Sequence, residues 1–102
     1  MSVLMTMQVN GDGTQLEKYA QAEPDKVRGI VEKAKSHGLI AHRFWASADA
    51  ILVVDEWPDE ESFRAFFDSA PEVGEMMAAV GVTSEPRPMF WRRLDVGDEY
   101  PA

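Results

Sequence analysis

The chain has 102 residues, enough for one domain and a small core. Apolar residues make up 45% and aromatics 10%, which fits a packed globular protein and excludes a disordered one. There is no cysteine and the net charge is −8, so disulfides and thiolate chemistry are excluded and nucleic acid is a poor partner.

Ser2 to Val9, rich in Val, Leu, Met and Thr, reads as a first strand. Asn10-Gly11-Asp12-Gly13 breaks it, and Thr14 with Glu17 forms a capping-box pattern that predicts a short helix carrying Leu16, Tyr19 and Ala20 on one face. Pro24 suits a first helical position and restarts or kinks that helix. Val27, Ile30, Val31 and Ala34 continue the helical spacing until Gly38 stops it. Leu39 to Ala46 and Ala50 to Trp57 read as two strands whose short link predicts an antiparallel hairpin. Pro58 and Asp59 open a helix with the stripe Phe63, Phe66, Phe67 and Ala70. Pro71 restarts it with Val73, Met76, Met77 and Val80, and Gly81 ends it. Thr83 to Leu94 reads as a last strand, its first half disturbed by Pro86 and Pro88. One domain over residues 1–96 and a loose tail over 97–102 are expected.

The order βαββαβ implies a ferredoxin-like α+β fold, a four-stranded antiparallel sheet with helices on one face. Yet both faces of the predicted strands are apolar: Ile51 and Val53 alternate with Leu52 and Val54, and Met5 and Met7 with Leu4. The face without helices needs another cover, and a second copy by two-fold symmetry is the expected one. The acidity is local, because residues 55–85 hold nine acids against Arg64 alone. A solvated helical face explains that, and repulsion of anionic ligands from that side is the functional alternative. The N-terminus lacks the basic region and cleavage site of a signal peptide, and no apolar run approaches the ~20 residues of a membrane span. A cytoplasmic protein without a membrane partner is therefore expected.

Three stretches carry a family resemblance: Gly38-Leu39-Ile40-Ala41-His42-Arg43-Phe44, Ile51-Leu52-Val53-Val54-Asp55-Glu56-Trp57, and Asp59-Glu60-Glu61-Ser62-Phe63. Together they resemble the dimeric α+β barrel superfamily, and within it the antibiotic-biosynthesis-monooxygenase-like branch. The resemblance covers about residues 1–95, with Asp55 and Trp57 matching an acid-x-aromatic pair and Phe63 a helix phenylalanine. It implies a sheet-to-sheet homodimer that either binds a small ligand or oxygenates one without a cofactor. Many catalytic members carry a His three positions after that Phe, where this chain has Phe66. Haem-degrading members resemble the chain at Trp57 and near Asn10, but they take an iron ligand from a helix whose counterpart here, residues 59–81, has no His.

Only two histidines exist, His37 and His42, and no metal-ligand spacing occurs, so neither a metal nor a cofactor is expected. His42 and Asn10 are the candidate catalytic residues, since an imidazole titrates near neutral pH and an Asn can polarise a carbonyl. Trp57, Asp55, Phe63, Phe66, Phe67, Met77, Trp91 and Arg92 are the candidate ligand-binding residues, an apolar set with a few polar groups. One of Arg92 and Arg93 must face inward and would need Asp55 or Glu56 as partner. The sequence thus supports a small dimeric barrel that holds an apolar or aromatic ligand in a helix–sheet cleft without catalysis. The alternative is a cofactor-independent, monooxygenase-like enzyme acting on an aromatic or polyketide-like substrate.

Overall fold

A computed structural model describes residues 1–101; Ala102, the end of the expected tail, lies outside the described residues. The elements are β1 (Val3–Asn10), α1 (Gly13–Ala22), α2 (Pro24–Ser36), β2 (Ala41–Ala46), β3 (Ala50–Trp57), α3 (Glu60–Ser69), α4 (Pro71–Ala79) and β4 (Met89–Trp91). The strands form one antiparallel sheet in the order β2-β3-β1-β4, the ferredoxin-like arrangement. Among the described residues no helix is long and apolar enough to cross a membrane.

Each predicted helix is a pair of helices, broken at Glu23 and Ala70 because Pro24 and Pro71 start new ones. The cap of α1 is Asp12 and not Thr14: its carboxylate accepts from the Thr14 amide at 2.9 Å, so the helix begins one residue before the expected box. Gly38 and Gly81 do end α2 and α4, at φ +101° and +85°. Both ends close as Schellman motifs, with Leu39 N–H bonded to Ala34 C=O and Val82 N–H to Met77 C=O. That closure takes up Leu39, which packs into the core, so β2 starts at Ala41 and not at Leu39. The last strand is only three residues long against the expected twelve-residue run, since Pro86 and Pro88 have no N–H to donate and pairing begins just past them. Residues 97–101 carry no regular structure.

Burial alternates along β3, and Ile51, Val53, Asp55 and Trp57 face the helices. With Met5, Met7 and Val9 of β1 they meet Phe63, Phe66, Val73 and Met76 of α3 and α4, which makes the core. The α1–α2 pair seats less deeply: α1 buries no residue and α2 only Ala34. The opposite sheet face leaves Leu4, Met89 and Trp91 exposed and Leu52 and Val54 half-buried.

Asp59 caps α3, and the Ser62 hydroxyl and amide both donate to its Oδ1 at 2.8 Å. These bonds hold its carboxyl below the ordinary carboxylate value, the hydroxyl contributing most. The stabilisation is present above the unfolded-state pKa and is lost as pH falls through the lower folded value. Asp59→Ala is therefore expected to lower the thermal midpoint at neutral pH, and that gap to close at strongly acidic pH, as checked by parallel circular-dichroism melts.

Candidate functional site

The strand register aligns one row across the helix-covered face: His42 opposite Asp55, Asp55 opposite Met5, and Met5 opposite Phe90. Asp55 is a buried acid, 6% exposed, among apolar neighbours. A carboxylate there must be hydrogen-bonded, because an uncompensated charge in an apolar interior is costly. Both oxygens are met. Oδ1 pairs with His42 Nδ1 at 2.7 Å, and Oδ2 accepts from Trp57 Nε1 at 3.2 Å. With Asp55 ionised, its carboxylate only accepts, so the hydrogen of the first bond sits on Nδ1, and in the neutral ring Nε2 then carries the lone pair. Among the described residues Nε2 makes no hydrogen bond. Phe44 packs against the imidazole edge-on, with ring centres 4.7 Å apart.

Among the described residues, His42 and Asp55 are the only ionisable ones lining a cavity of about 70 Å³ between the sheet and α2, α3 and α4. The other walls are apolar, among them Ile30, Phe63, Phe66, Phe67 and Met77. Next to it a groove of about 500 Å³ runs between α1 and the β2–β3 hairpin. Val27, Phe44 and Met76 wall both, so the two spaces adjoin. The groove exists because the helix layer is incomplete. Phe44 points to the helix side, in the same row as buried Val53 and Met7, yet is 38% exposed. Gly13 lets α1 approach the end of β2 at all: a Cβ there would meet the Ala46 Cβ at 2.6 Å. The inner cavity has room for a few waters, and the groove falls in the ~300–1,000 Å³ range of small-molecule sites.

The structure brings together His42, Asp55, Phe63, Phe66, Phe67 and Met77 around the inner cavity. Trp57 sits behind its wall, fully buried under α3, and not at a pocket mouth. The remaining three lie elsewhere. Asn10 ties the end of β1 to the segment entering β4, with Nδ2 donating to Thr83 Oγ1 at 2.7 Å and Oδ1 accepting from the Thr83 and Ser84 amides. Trp91 lies on the face without helices, its Nε1 donating to Thr6 Oγ1 at 2.8 Å. Arg92 and Arg93 are both exposed, and Arg93 pairs with Glu99, so neither arginine turns inward to Asp55. The groove residues Leu16, Ala20, Val27 and Met76 were not among the sequence candidates, since their spacing reads as ordinary core stripe. Among the described residues no three His, Asp or Glu side chains converge as a metal-binding group.

No protein-family sequence model matches the chain, and no curated protein matches it in sequence. Solved structures do match its fold. A monooxygenase from the gene ActVA-Orf6 of Streptomyces coelicolor, in complex with nanaomycin D, superposes with a TM-score of 0.65 at 16% identity, covering 93% of this chain and 90% of that one. SnoaB, a cofactor-independent oxygenase from Streptomyces nogalater, gives 0.59 at 11% identity over 96% and 97%. A dimeric ferredoxin-like protein from an uncultured marine organism gives 0.59 at 13% identity over 92% and 89%. The chain thus has the ferredoxin-like fold of the antibiotic biosynthesis monooxygenases.

Proposed function

We propose that this protein binds a flat, apolar, ring-bearing ligand in the groove, with its edge against the inner cavity, and that His42 takes an acidic proton from it. One observation carries this reading: in an otherwise apolar cavity, an imidazole is held by a buried carboxylate and keeps a free Nε2. A site built for binding alone gains nothing from burying that charge, whereas a base needs both a fixed tautomer and stabilisation of the imidazolium it becomes. The acceptor is Nε2, the proton comes from a phenol or an activated C–H, and Asp55 stays ionised beside the imidazolium.

The finer reading is cofactor-independent oxygenation, which the fold of the oxygenases named above favours. The electron-rich anion left by proton transfer reacts with dioxygen at carbon to give a peroxide anion, which takes the proton back from the His42 imidazolium and becomes a hydroperoxide. Loss of water, with cleavage of the O–O bond and of the remaining C–H bond, leaves a carbonyl. In sum a CH₂ group and O₂ give C=O and H₂O, and dioxygen is the oxidant. The coarser alternative is a binding protein that ionises its ligand without consuming oxygen.

A naphthol changes its absorption on ionisation, so proton transfer can be read without turnover. In the parent chain bound naphthol is expected to appear as naphtholate. His42→Gln should keep the affinity and lose the ionised form, and any oxygen uptake with an anthrone should fall by about 10²–10⁴-fold. Equal ionisation in His42→Gln would refute His42 as the base. Ionisation without oxygen uptake in the parent chain would select the binding-protein reading.

The homodimer belongs to the same proposal. Leu4, Leu52, Val54, Met89 and Trp91 give the helix-free face an apolar character that a second copy would cover. A stable interface of that kind buries about 1,600 Å² in total. Leu52→Asp should yield a folded monomer of half the parent's sedimenting mass, because residue 52 faces outward. Val53→Asp places a charge in the core and should unfold the chain. A parent chain that sediments as an 11.4 kDa monomer at micromolar concentration would refute the dimer.

A further inference from the structure

The carboxylate that orients His42 is itself held, and the holder is Trp57. Residues 55 and 57 lie two apart on β3, so both side chains stand on the helix-covered face. The indole reaches back to give its N–H to Asp55 Oδ2 at 3.2 Å, while Oδ1 serves His42 at 2.7 Å. Each oxygen thus has one side-chain donor, and no buried side-chain nitrogen or oxygen among the described residues lacks a partner.

The indole is fully buried and touches no ligand space. It is wedged between two phenylalanines of α3: Phe63 stands edge-on at 5.7 Å between ring centres, and Phe66 lies tilted at 5.5 Å. Phe63 in turn stacks on Phe67 at 5.3 Å and meets Phe90 edge-on at 5.6 Å. Packing of this density leaves the ring no second rotamer without opening the core. The position of α3 is therefore carried through Phe63, Phe66 and Trp57 to the plane of the Asp55 carboxylate, and from there to the His42 ring.

We propose that Trp57 is a positioning residue for His42, acting through Asp55: its indole N–H locks the carboxylate so that the imidazole keeps its proton on Nδ1 and presents Nε2. This deepens the reading of His42 as a base and rests on it. With the N–H removed, Oδ2 loses its donor, the carboxylate is free to turn toward other partners, and the imidazole is no longer confined to one tautomer.

The test is Trp57→Phe in the full chain, a change that keeps an aromatic ring and removes the N–H. His37 packs across Phe66 at 6.0 Å and is replaced by Gln, which leaves His42 as the single imidazole signal; among the described residues no third ionisable one lines the cavity. Nitrogen-15 NMR then reads the tautomer directly. The expected result is one Nδ1–H tautomer in the His37→Gln parent and a mixture in Trp57→Phe. Naphthol ionisation should fall about tenfold while naphthol affinity holds, the split expected when an orienting group is lost. An unchanged Nδ1–H tautomer in folded Trp57→Phe would overturn the proposal, even if His42→Gln still abolishes ionisation and so upholds the base. Should Trp57→Phe fail to fold, the His37→Gln parent alone decides. Its Trp57 indole N–H resonance should move with the protonation midpoint of His42, and a resonance that stays fixed through that midpoint would overturn the proposal.

Discussion

The burial of the Asp55 carboxylate is the constraint on which the site depends. A charge 6% exposed among Met5, Val53 and Phe63 is tolerable only with close donors on both oxygens. The sheet supplies them from two directions. The hairpin register places His42 directly across from Asp55, and the two-residue period of β3 places Trp57 beside it. A slip of one residue between β2 and β3 would turn His42 to the far face and leave the acid unpaired. The hairpin register and the polar site therefore enforce each other, and the energetic cost of losing the pair helps to specify the pairing.

Much of the architecture was legible because it rests on short-range physics. The prolines at 24, 58 and 71 and the glycines at 38 and 81 punctuate the chain at positions that the backbone rules predict. Alternation along β1 and β3 marked both the core face and the open face. The boundaries that shifted did so for local reasons of hydrogen bonding: Asp12 outcompeted Thr14 as a cap, the Schellman closure consumed Leu39, and two prolines cut β4 short.

The candidate site was less legible, because it depends on which residues the sheet order makes neighbours. His42 and Asp55 were singled out separately, one for its titration range and one for a family pattern, and their pairing follows only from the register. Asn10, Trp91 and Arg92 are polar or aromatic residues near strand ends, and composition alone could not tell a clamp from a ligand contact. Asn10 spends its side chain on the 83–84 backbone, as a turn-region Asn often does. Trp91 follows the parity of Leu4, its cross-strand partner, and so faces away from the helices. The groove left no trace in the pattern at all: Leu16, Val27 and Met76 have regular core spacing, and the exposure of Phe44 on the helix side follows only from how the helices lie over the sheet.

The two halves of the helix layer differ in a way that suits such a site. The α3–α4 half buries Phe63, Phe66, Val73 and Met76 and fixes the aromatic wall behind Asp55. Among the described residues the α1–α2 half buries only Ala34, and the groove runs along its edge. Because hydrophobic stabilisation scales with the area removed from water, the first half carries most of the core energy and the second little of it. Groups that must hold a fixed geometry belong on the well-packed side, and a cover that must admit a ligand belongs on the other, where local opening is cheapest. The division falls along that line: His42, Asp55 and Trp57 are anchored in the sheet and against α3, while the groove runs along α1, the helix with no buried residue among those described.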